Sequence, residues 1–432
     1  MRVLLVSTNR ADLMVRPFPL GAAYIVASLQ AQGHEVDVWD AMFEGDWAAS
    51  LRQRLRDFRP AVIGLSVRNV DDQEIRGARF LLGEAREMAA ACRQESEAVL
   101  VAGGAAFSMF PAEALSYLGV DYGIVGEGER AFPQLLAALE AGEDPAGIPG
   151  LVWRSDDGVH EAPQEFVQDL DELPVPDRRL LEPARYYESR GTAPIPNVAT
   201  VQAKRGCPRS CIYCVTRVIE GPTHRLRSPE RVVDEVEALA AMGERRIQFV
   251  DSLFTNPPEH AEAICKELIR RRVEVGWSCT INPAFAPPDL LRLMKQAGCQ
   301  LAMVGNEAGC DRQLDALRKG FSKAETARCF SLLESEGIRY NAFLLLGGPG
   351  EDRASVDESV EFMQQWSPSL VSVTIGIRIY PRCELAQIAA AEGVLEPGAD
   401  LLPPRFYLAE PVREWIFGRV DPVVAANDSW MY

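Results

Sequence analysis

A chain of 432 residues is too long for one ordinary domain and predicts two or three. Its 47% hydrophobic and 25% charged residues are those of a globular protein able to bury large cores. A net charge of -17 argues against nucleic acid or an anionic membrane as the main partner. No leader pattern opens the chain, because Met1–Val6 runs straight into a strand. No apolar stretch reaches the ~18 residues a membrane helix needs. Ten cysteines without disulfide-like density predict a reducing, cytoplasmic setting.

Residues 1–140 alternate strands with helices. Arg2–Ser7 is a short apolar strand, and Leu20–Gln32 has helical spacing that ends at Gly33, a fitting C-cap. His34–Trp39 is the second strand, followed by a helix from Trp47 to Phe58. Ala61–Ser66 is a buried strand, with a long helix expected from about Ile75 to Arg93. Ala98–Gly104 runs into a glycine-rich turn, and Tyr122–Val125 precedes Gly126-Glu-Gly-Glu-Arg130. This alternation predicts a Rossmann-like, doubly wound parallel sheet with ligands at the carboxyl ends of its strands. The loops at those ends are Asn9 to Phe18, Val67 to Asp72, Gly103 to Ala106 and Gly126 to Glu129.

Residues 141–195 are rich in Pro, Asp and Glu and read as an ordered linker. It holds a hairpin candidate from Ile148 to Gly158, and Leu170, Leu173 and Val175 give it something to bury. Residues 196–390 repeat a second strand–helix pattern. Strands are expected at Val198–Gln202, Arg246–Asp251, Val275–Cys279, Gln300–Gly305, Arg339–Leu346 and Leu370–Ile375. Six such units make a partial (β/α)6 barrel, smaller than the eight-unit barrel whose sites also lie at strand carboxyl ends. Residues 391–432, with Trp415, Phe417, Trp430 and Tyr432, are expected to cap the barrel mouth or pack on the core.

The first strand of that barrel delivers Lys204-Arg-Gly-Cys-Pro-Arg-Ser-Cys-Ile-Tyr-Cys-Val-Thr216 at its carboxyl end. Cys207, Cys211 and Cys214 fall in a C-x3-C-x2-C pattern. Thiolates are the natural ligands of iron–sulfur clusters. Three on one short loop can bind three irons of a [4Fe–4S] cube and leave the fourth open for a substrate or cofactor. The alternatives are a structural zinc knuckle or a chance clustering of cysteines. Zinc sites normally close with four ligands, whereas here the nearest His, His224, lies ten residues beyond Cys214 and no second C-x2-C pair follows.

The motif and its surroundings resemble a radical S-adenosylmethionine (SAM) enzyme. The N-terminal third resembles the cobalamin-binding domain that precedes such a core in one large subfamily. The resemblance implies cobalamin held by the loops that carry Arg68, Asn69, Gly103, Gly104, Gly126, Glu127 and Gly128. It departs from many cobalamin proteins in lacking the D-x-H-x-x-G motif. The only histidine of this third, His34, sits at the start of a strand and is read as structural. Base-off cobalamin with no histidine below cobalt is therefore expected, with Arg68 or Asn69 near that lower face.

For SAM, the resemblance implies Asp251 at the amino group, with Ser252 where the family often has a second acid. It implies Glu307, in Gly305-Asn-Glu-Ala-Gly309, at the ribose or amino group, and Arg318 or Lys319 at the carboxylate. Gly347 and Gly348 stand beside the adenine, and Tyr213 packs on it. Ile379–Ala386 and Phe406–Leu408 resemble segments that close the subfamily's core. Cys265, Cys299 and Cys329 are expected to be simply buried, while Cys279, Cys310 and Cys383 lie near strand ends, where Cys279 is open to a role as hydrogen donor or substrate contact against the simpler reading of burial.

The implied activity is C-methylation of an unactivated carbon in a small natural product or lipid, through a 5′-deoxyadenosyl radical and methylcobalamin. It needs an external electron donor of the flavodoxin or ferredoxin type. Two alternatives remain open at this point: a non-methylating radical cyclisation, ring contraction or oxidation with the same cofactors, and a non-catalytic cobalamin or iron–sulfur sensor.

Overall fold

The structure is a computed structural model that describes residues 1–11, 16–176, 178–187 and 198–432. Part of the predicted loop from Asn9 to Phe18, and Asp177 and the last residues of the predicted linker, lie outside them. Contacts divide the chain into two compact units. One comprises Met1–Asp72, Ala78–Val198 and Val218–Gly221, and the other Gln73–Gly77, Ala199–Arg217 and Pro222–Tyr432.

The first unit is built on β1 (Arg2–Ser7), β2 (Glu35–Asp40), β3 (Val62–Ser66), β4 (Val99–Gly103), β5 (Tyr122–Ile124), β6 (Leu151–Ser155) and β7 (Gly158–Glu161). Their order in the sheet is β2-β1-β3-β4-β5-β6-β7. The first five run parallel, as the alternation predicts, and β6 and β7 add antiparallel to β5. Residues of the predicted linker thus extend this sheet. Val3, Leu5, Val26, Leu29, Val62, Val101, Phe132 and Leu135 form one buried cluster between the strands and the helices Leu20–Ala31 and Gly128–Ala141. Each such side chain contributes roughly 1.5–3 kcal/mol on burial.

One expected helix is shorter than its pattern. It spans Leu82–Glu95 rather than starting near Ile75. Gly77 has φ 79°, an isolated bridge pairs Asp71 with Phe80, and the Leu81 N–H donates to the Val70 carbonyl at 2.8 Å. These bonds close residues 71–80 into a loop and take up the amides that a helical turn would use.

In the second unit, β8 (Ala199–Val201) leads to a ribbon of β9 (Lys204–Arg205) and β10 (Arg225–Leu226). Then follow β11 (Arg246–Phe249), β12 (Gly276–Ile281), β13 (Cys299–Glu307), β14 (Arg339–Leu346) and β15 (Leu370–Ile375). The short strands β16 (Ile377–Arg378), β17 (Phe406–Tyr407) and β18 (Trp430–Met431) complete it. The main sheet is parallel throughout, in the order β18-β15-β14-β13-β12-β11-β8. The six predicted strands are there, and residues 430–431 add a seventh. With β8 and β18 as edges, the sheet is an open partial barrel. Its helices start where the sequence marks them: the Ser228 side chain accepts from the Arg231 N–H, and Ser322 with Glu325 forms a capping box. Among the described residues no helix is long and apolar enough to cross a membrane.

Candidate functional site

The cysteine loop lies between the paired strands β9 and β10, so its two ends are fixed by Arg205 opposite Arg225 and Lys204 opposite Leu226. Gly206 begins it at φ 86°, a conformation that suits only glycine without strain. Its carbonyl accepts from His224 Nδ1 at 3.0 Å. That bond leaves Nε2 as the unprotonated nitrogen, and burial and the nearby Lys204 push the imidazole pKa down to about 4. Further along, the Ile212 N–H donates to the Leu317 carbonyl at 3.4 Å, the Leu385 N–H to the Ile212 carbonyl at 2.9 Å, and the Arg209 guanidinium to the Lys319 carbonyl.

Cys207 is buried, and Cys211 and Cys214 are half-buried. Burial pushes the Cys207 and Cys211 thiols above their ordinary range, and Lys319 opposes the shift at Cys211. A bound metal deprotonates a thiol outright, so a cationic cluster corner offsets what burial costs. Among the described residues no three His, Cys, Asp or Glu side chains converge on one point as a single ion requires. A cubane would give each cysteine its own iron, and three thiols on one short loop are the ligand set it would use.

Lys204 and Asp251 lie under the start of this loop, with 1% and 2% of their surface exposed. Asp251 Oδ1 accepts from the backbone N–H groups of Ala203 at 2.7 Å and Lys204 at 3.0 Å. Oδ2 is buried with no hydrogen-bond partner. Burial pushes the Asp251 carboxyl up to about 6, against the pull of Lys204. Burial likewise brings the Lys204 ammonium down to about 8. Its Nζ donates to the carbonyls of Phe254 at 2.7 Å and Asn256 at 2.9 Å. Ser252 is half-buried beside Asp251.

A second group forms at the end of β13. Lys319 Nζ is 3.2 Å from Glu307 Oε1 and 3.2 Å from the Tyr213 hydroxyl. Glu307 holds φ 62°, uncommon for a residue with a side chain. Burial first, then the Glu307 charge, raises the Tyr213 hydroxyl pKa well above its ordinary value. Arg318 is not part of this group: its exposed guanidinium pairs with Glu384 at 2.6 Å. Of the two predicted cations, only Lys319 joins the acid and the tyrosine.

The Gly347 and Gly348 N–H groups both donate to Glu351 Oε2, the second at 3.0 Å. Gly347 has φ 90°. Glu351 is 1% exposed, and burial pushes its carboxyl up to about 7. Beside Gly348 the Gln313 amide is fully buried with neither polar atom bonded. Lys204, Glu351 and Gln313 have no assigned role in the sequence reading. The available signal for Lys204 is a cation at the exit of an apolar strand. For the other two there is none: the partners of Glu351 are backbone N–H groups, and the Gln313 amide bonds to nothing.

In the first unit, the Val67 N–H donates to the Gly103 carbonyl at 2.8 Å and the Ala106 N–H to the Val67 carbonyl at 3.1 Å. This ties the glycine turn to the end of β3. Gly104 has φ 100°, and a Cβ there would lie 2.6 Å from the Val67 carbonyl oxygen. Arg68 is exposed and donates to Asn69 Oδ1 at 3.2 Å. Both line a cleft at the carboxyl ends of β1 and β3 with Asn9, Arg10 and Glu84. A cleft at the carboxyl edge of a doubly wound parallel sheet is where such folds take a ligand. Gly126, Glu127 and Gly128 are engaged differently. The space beside Gly126 is taken by the Gln164 amide, Glu127 Oε2 accepts from the Val167 N–H at 2.7 Å, and Ile25 abuts Gly128. His34 lies before β2, at the opposite end of the sheet from these loops, with Nδ1 3.1 Å from the Met1 amino nitrogen.

The remaining cysteines divide by surroundings. Cys92, Cys265, Cys279, Cys299 and Cys329 are buried, and Cys279 lies against Cys299. Cys310 is buried near Glu358. Cys383 approaches the cluster loop: burial, reinforced by Cys214, pushes its thiol up to about 12.

The sequence profile of the Radical SAM superfamily matches residues 201–363, and that of the B12 binding domain matches residues 8–136. A tryptophan 2-C-methyltransferase of Streptomyces laurentii is 26% identical over 90% of this chain and 74% of its own length. An anaerobic magnesium-protoporphyrin IX monomethyl ester cyclase of Rubrivivax gelatinosus is 27% identical over 86% of this chain and 67% of its own. In fold, the radical SAM methyltransferase TsrM of Kitasatospora setae superposes with a TM-score of 0.87 at 24% identity, covering 100% of this chain and 90% of that one. The two domains account for the cofactors: a [4Fe–4S] cluster with SAM, and cobalamin. The chain is an enzyme of the radical SAM superfamily and belongs to its cobalamin-dependent group, in which a B12-binding domain precedes the radical core.

Proposed function

We propose that this enzyme transfers a methyl group to an unactivated carbon of a small natural product or a lipid. The observation that carries the reading is one short loop with three thiols and no fourth, in a chain whose first unit is a B12-binding domain. When bound, the cluster and SAM supply a carbon-centred radical and cobalamin supplies the methyl group.

The chain's own residues hold and orient. Cys207, Cys211 and Cys214 would hold three irons, and β9 with β10 fixes their loop. Lys319, already balanced by Glu307, presents a buried positive charge for a carboxylate, with the Tyr213 ring beside it. Gly347 and Gly348 would let an adenine approach the backbone. Arg68, Asn69, Gly103 and Gly104 would face cobalamin, with no histidine among them.

The barrel's strands present one face to the helices, through Trp277 and Tyr340, and a half-buried face on the other side. Gln248, Ser278, Thr280, Phe343, Ser372 and Thr374 lie on that second face. Hydroxyls and amides there suit a substrate with hydrogen-bonding groups better than a bare hydrocarbon. An electron donor of the flavodoxin or ferredoxin type and a cytoplasmic setting complete the proposal. Ten free thiols agree with that setting.

Methyl-labelled SAM tests the reading. Label recovered in a product supports it, whereas 5′-deoxyadenosine released without labelled product refutes it. The second reading, a radical cyclisation without methyl transfer, has the likeness to the Rubrivivax cyclase in its favour. The same experiment decides between them.

A further inference from the structure

β8 and β11 are parallel neighbours, with Val201 opposite Phe249, so the loops that leave them start side by side. Two buried side chains join these loops. Asp251, at the end of β11, takes the N–H groups of Ala203 and Lys204 at 2.7 and 3.0 Å. Lys204 in return reaches the carbonyls of Phe254 and Asn256, in the loop after β11, at 2.7 and 2.9 Å. The residues just before Cys207 therefore cannot shift without breaking bonds to residues 251–256. Burying an ammonium costs several kcal/mol, a cost that a methionine of similar length would avoid if packing alone were needed.

We propose that Lys204 and Asp251 are positioning residues that set the first cluster cysteine, Cys207, against the loop following β11. The inference rests on the reading of Cys207, Cys211 and Cys214 as cluster ligands. Asp251 acts through Oδ1 as a backbone acceptor, a role distinct from the SAM amino contact that family resemblance implies. Lys204 acts by fixing the carbonyls of Phe254 and Asn256.

Three variants separate these roles. Asn in D251N keeps the oxygen that accepts from Ala203 and Lys204, D251A deletes it, and K204M deletes the ammonium in a chain of similar length. Hydrogen exchange at residues 203–206 is followed in the full chain, together with the electron paramagnetic resonance spectrum of the reduced cluster with and without SAM. D251N should exchange within about twofold of wild type and keep the SAM-induced spectral change. D251A and K204M should exchange at least tenfold faster and need at least tenfold more SAM for the same spectral change. The proposal is overturned if K204M matches wild type in both readouts, or if D251N loses the SAM effect while its exchange stays slow. A wild-type chain that shows no cluster signal would refute the cluster reading, and the exchange rates would still judge the staple.

Discussion

The Lys319 ammonium stands 3.2 Å from the Glu307 carboxylate at the end of β13, in a spot where Lys319 is 7% exposed and Glu307 17%. Removing the cation leaves a largely buried carboxylate without its partner, which costs on the order of 1–3 kcal/mol. K319M should therefore raise the KM for SAM at least tenfold while the cluster still loads. Iron content and 5′-deoxyadenosine kinetics measure the two effects separately. An unchanged KM would show that the pair is structural.

Each of C207A, C211A and C214A should abolish the cluster and 5′-deoxyadenosine formation together, because each leaves one iron without a thiolate. C279A should do neither. Its side chain packs against Cys299 in the core, so the expected loss is about 1–2 kcal/mol of stability with activity retained. Iron and sulfide assays with a thermal melt check both statements.

Glu351 makes stability depend on pH. Its carboxyl, pushed up to about 7, keeps its proton in the folded state where the unfolded chain has lost it. That contribution is complete below the ordinary carboxylate range and is lost as pH rises through about 7. The total is roughly 3 kcal/mol at 1.36 kcal/mol per pKa unit. E351Q, which still accepts from the Gly347 and Gly348 N–H groups, should melt with the wild type at pH ~5 and above it at pH ~8. If the two melting curves shift in parallel with pH, the assignment fails.

Gly104 has no room for a side chain. With φ 100° and the Val67 carbonyl oxygen 2.6 Å from an added Cβ, G104A meets backbone that cannot yield cheaply. A loss of about 2 kcal/mol or more is expected, from strain and contact together. Cobalamin retained after gel filtration should fall with it, since the same turn is tied to the segment that carries Arg68. Normal retention would separate this glycine from the cobalamin site.

Much of the site's chemistry is local and legible in one dimension. The spacing of Cys207, Cys211 and Cys214 announces a cluster because three thiols must come from one loop to reach three corners of one cube. Lys319, Tyr213 and Glu307 are each recognisable near a strand end. That Lys319 rather than Arg318 turns inward depends on which side of a turn faces the barrel. The staple of Lys204 and Asp251 runs through backbone carbonyls and amides, which every residue has, so no residue type marks it.

Alternation of apolar runs with helical spacing is enough, by itself, to determine two parallel sheets and their order of secondary structure. A strand buried on both faces is apolar throughout and its helix is not, and that contrast survives without coordinates. The tertiary structure alone decided four matters of long-range pairing. Strands β6 and β7 join the first sheet rather than forming a spacer, and Trp430–Met431 adds an edge to the second. Gln164 occupies the space that Gly126 leaves open, so that glycine serves the chain's own packing. And within the cysteine stretch, the three thiols are set by sequence, whereas the backbone that leads into Cys207 is held at Ala203 by Asp251, 48 residues further along the chain. Partners so distant are brought together by the parallel neighbours β8 and β11, a register that only the folded sheet defines.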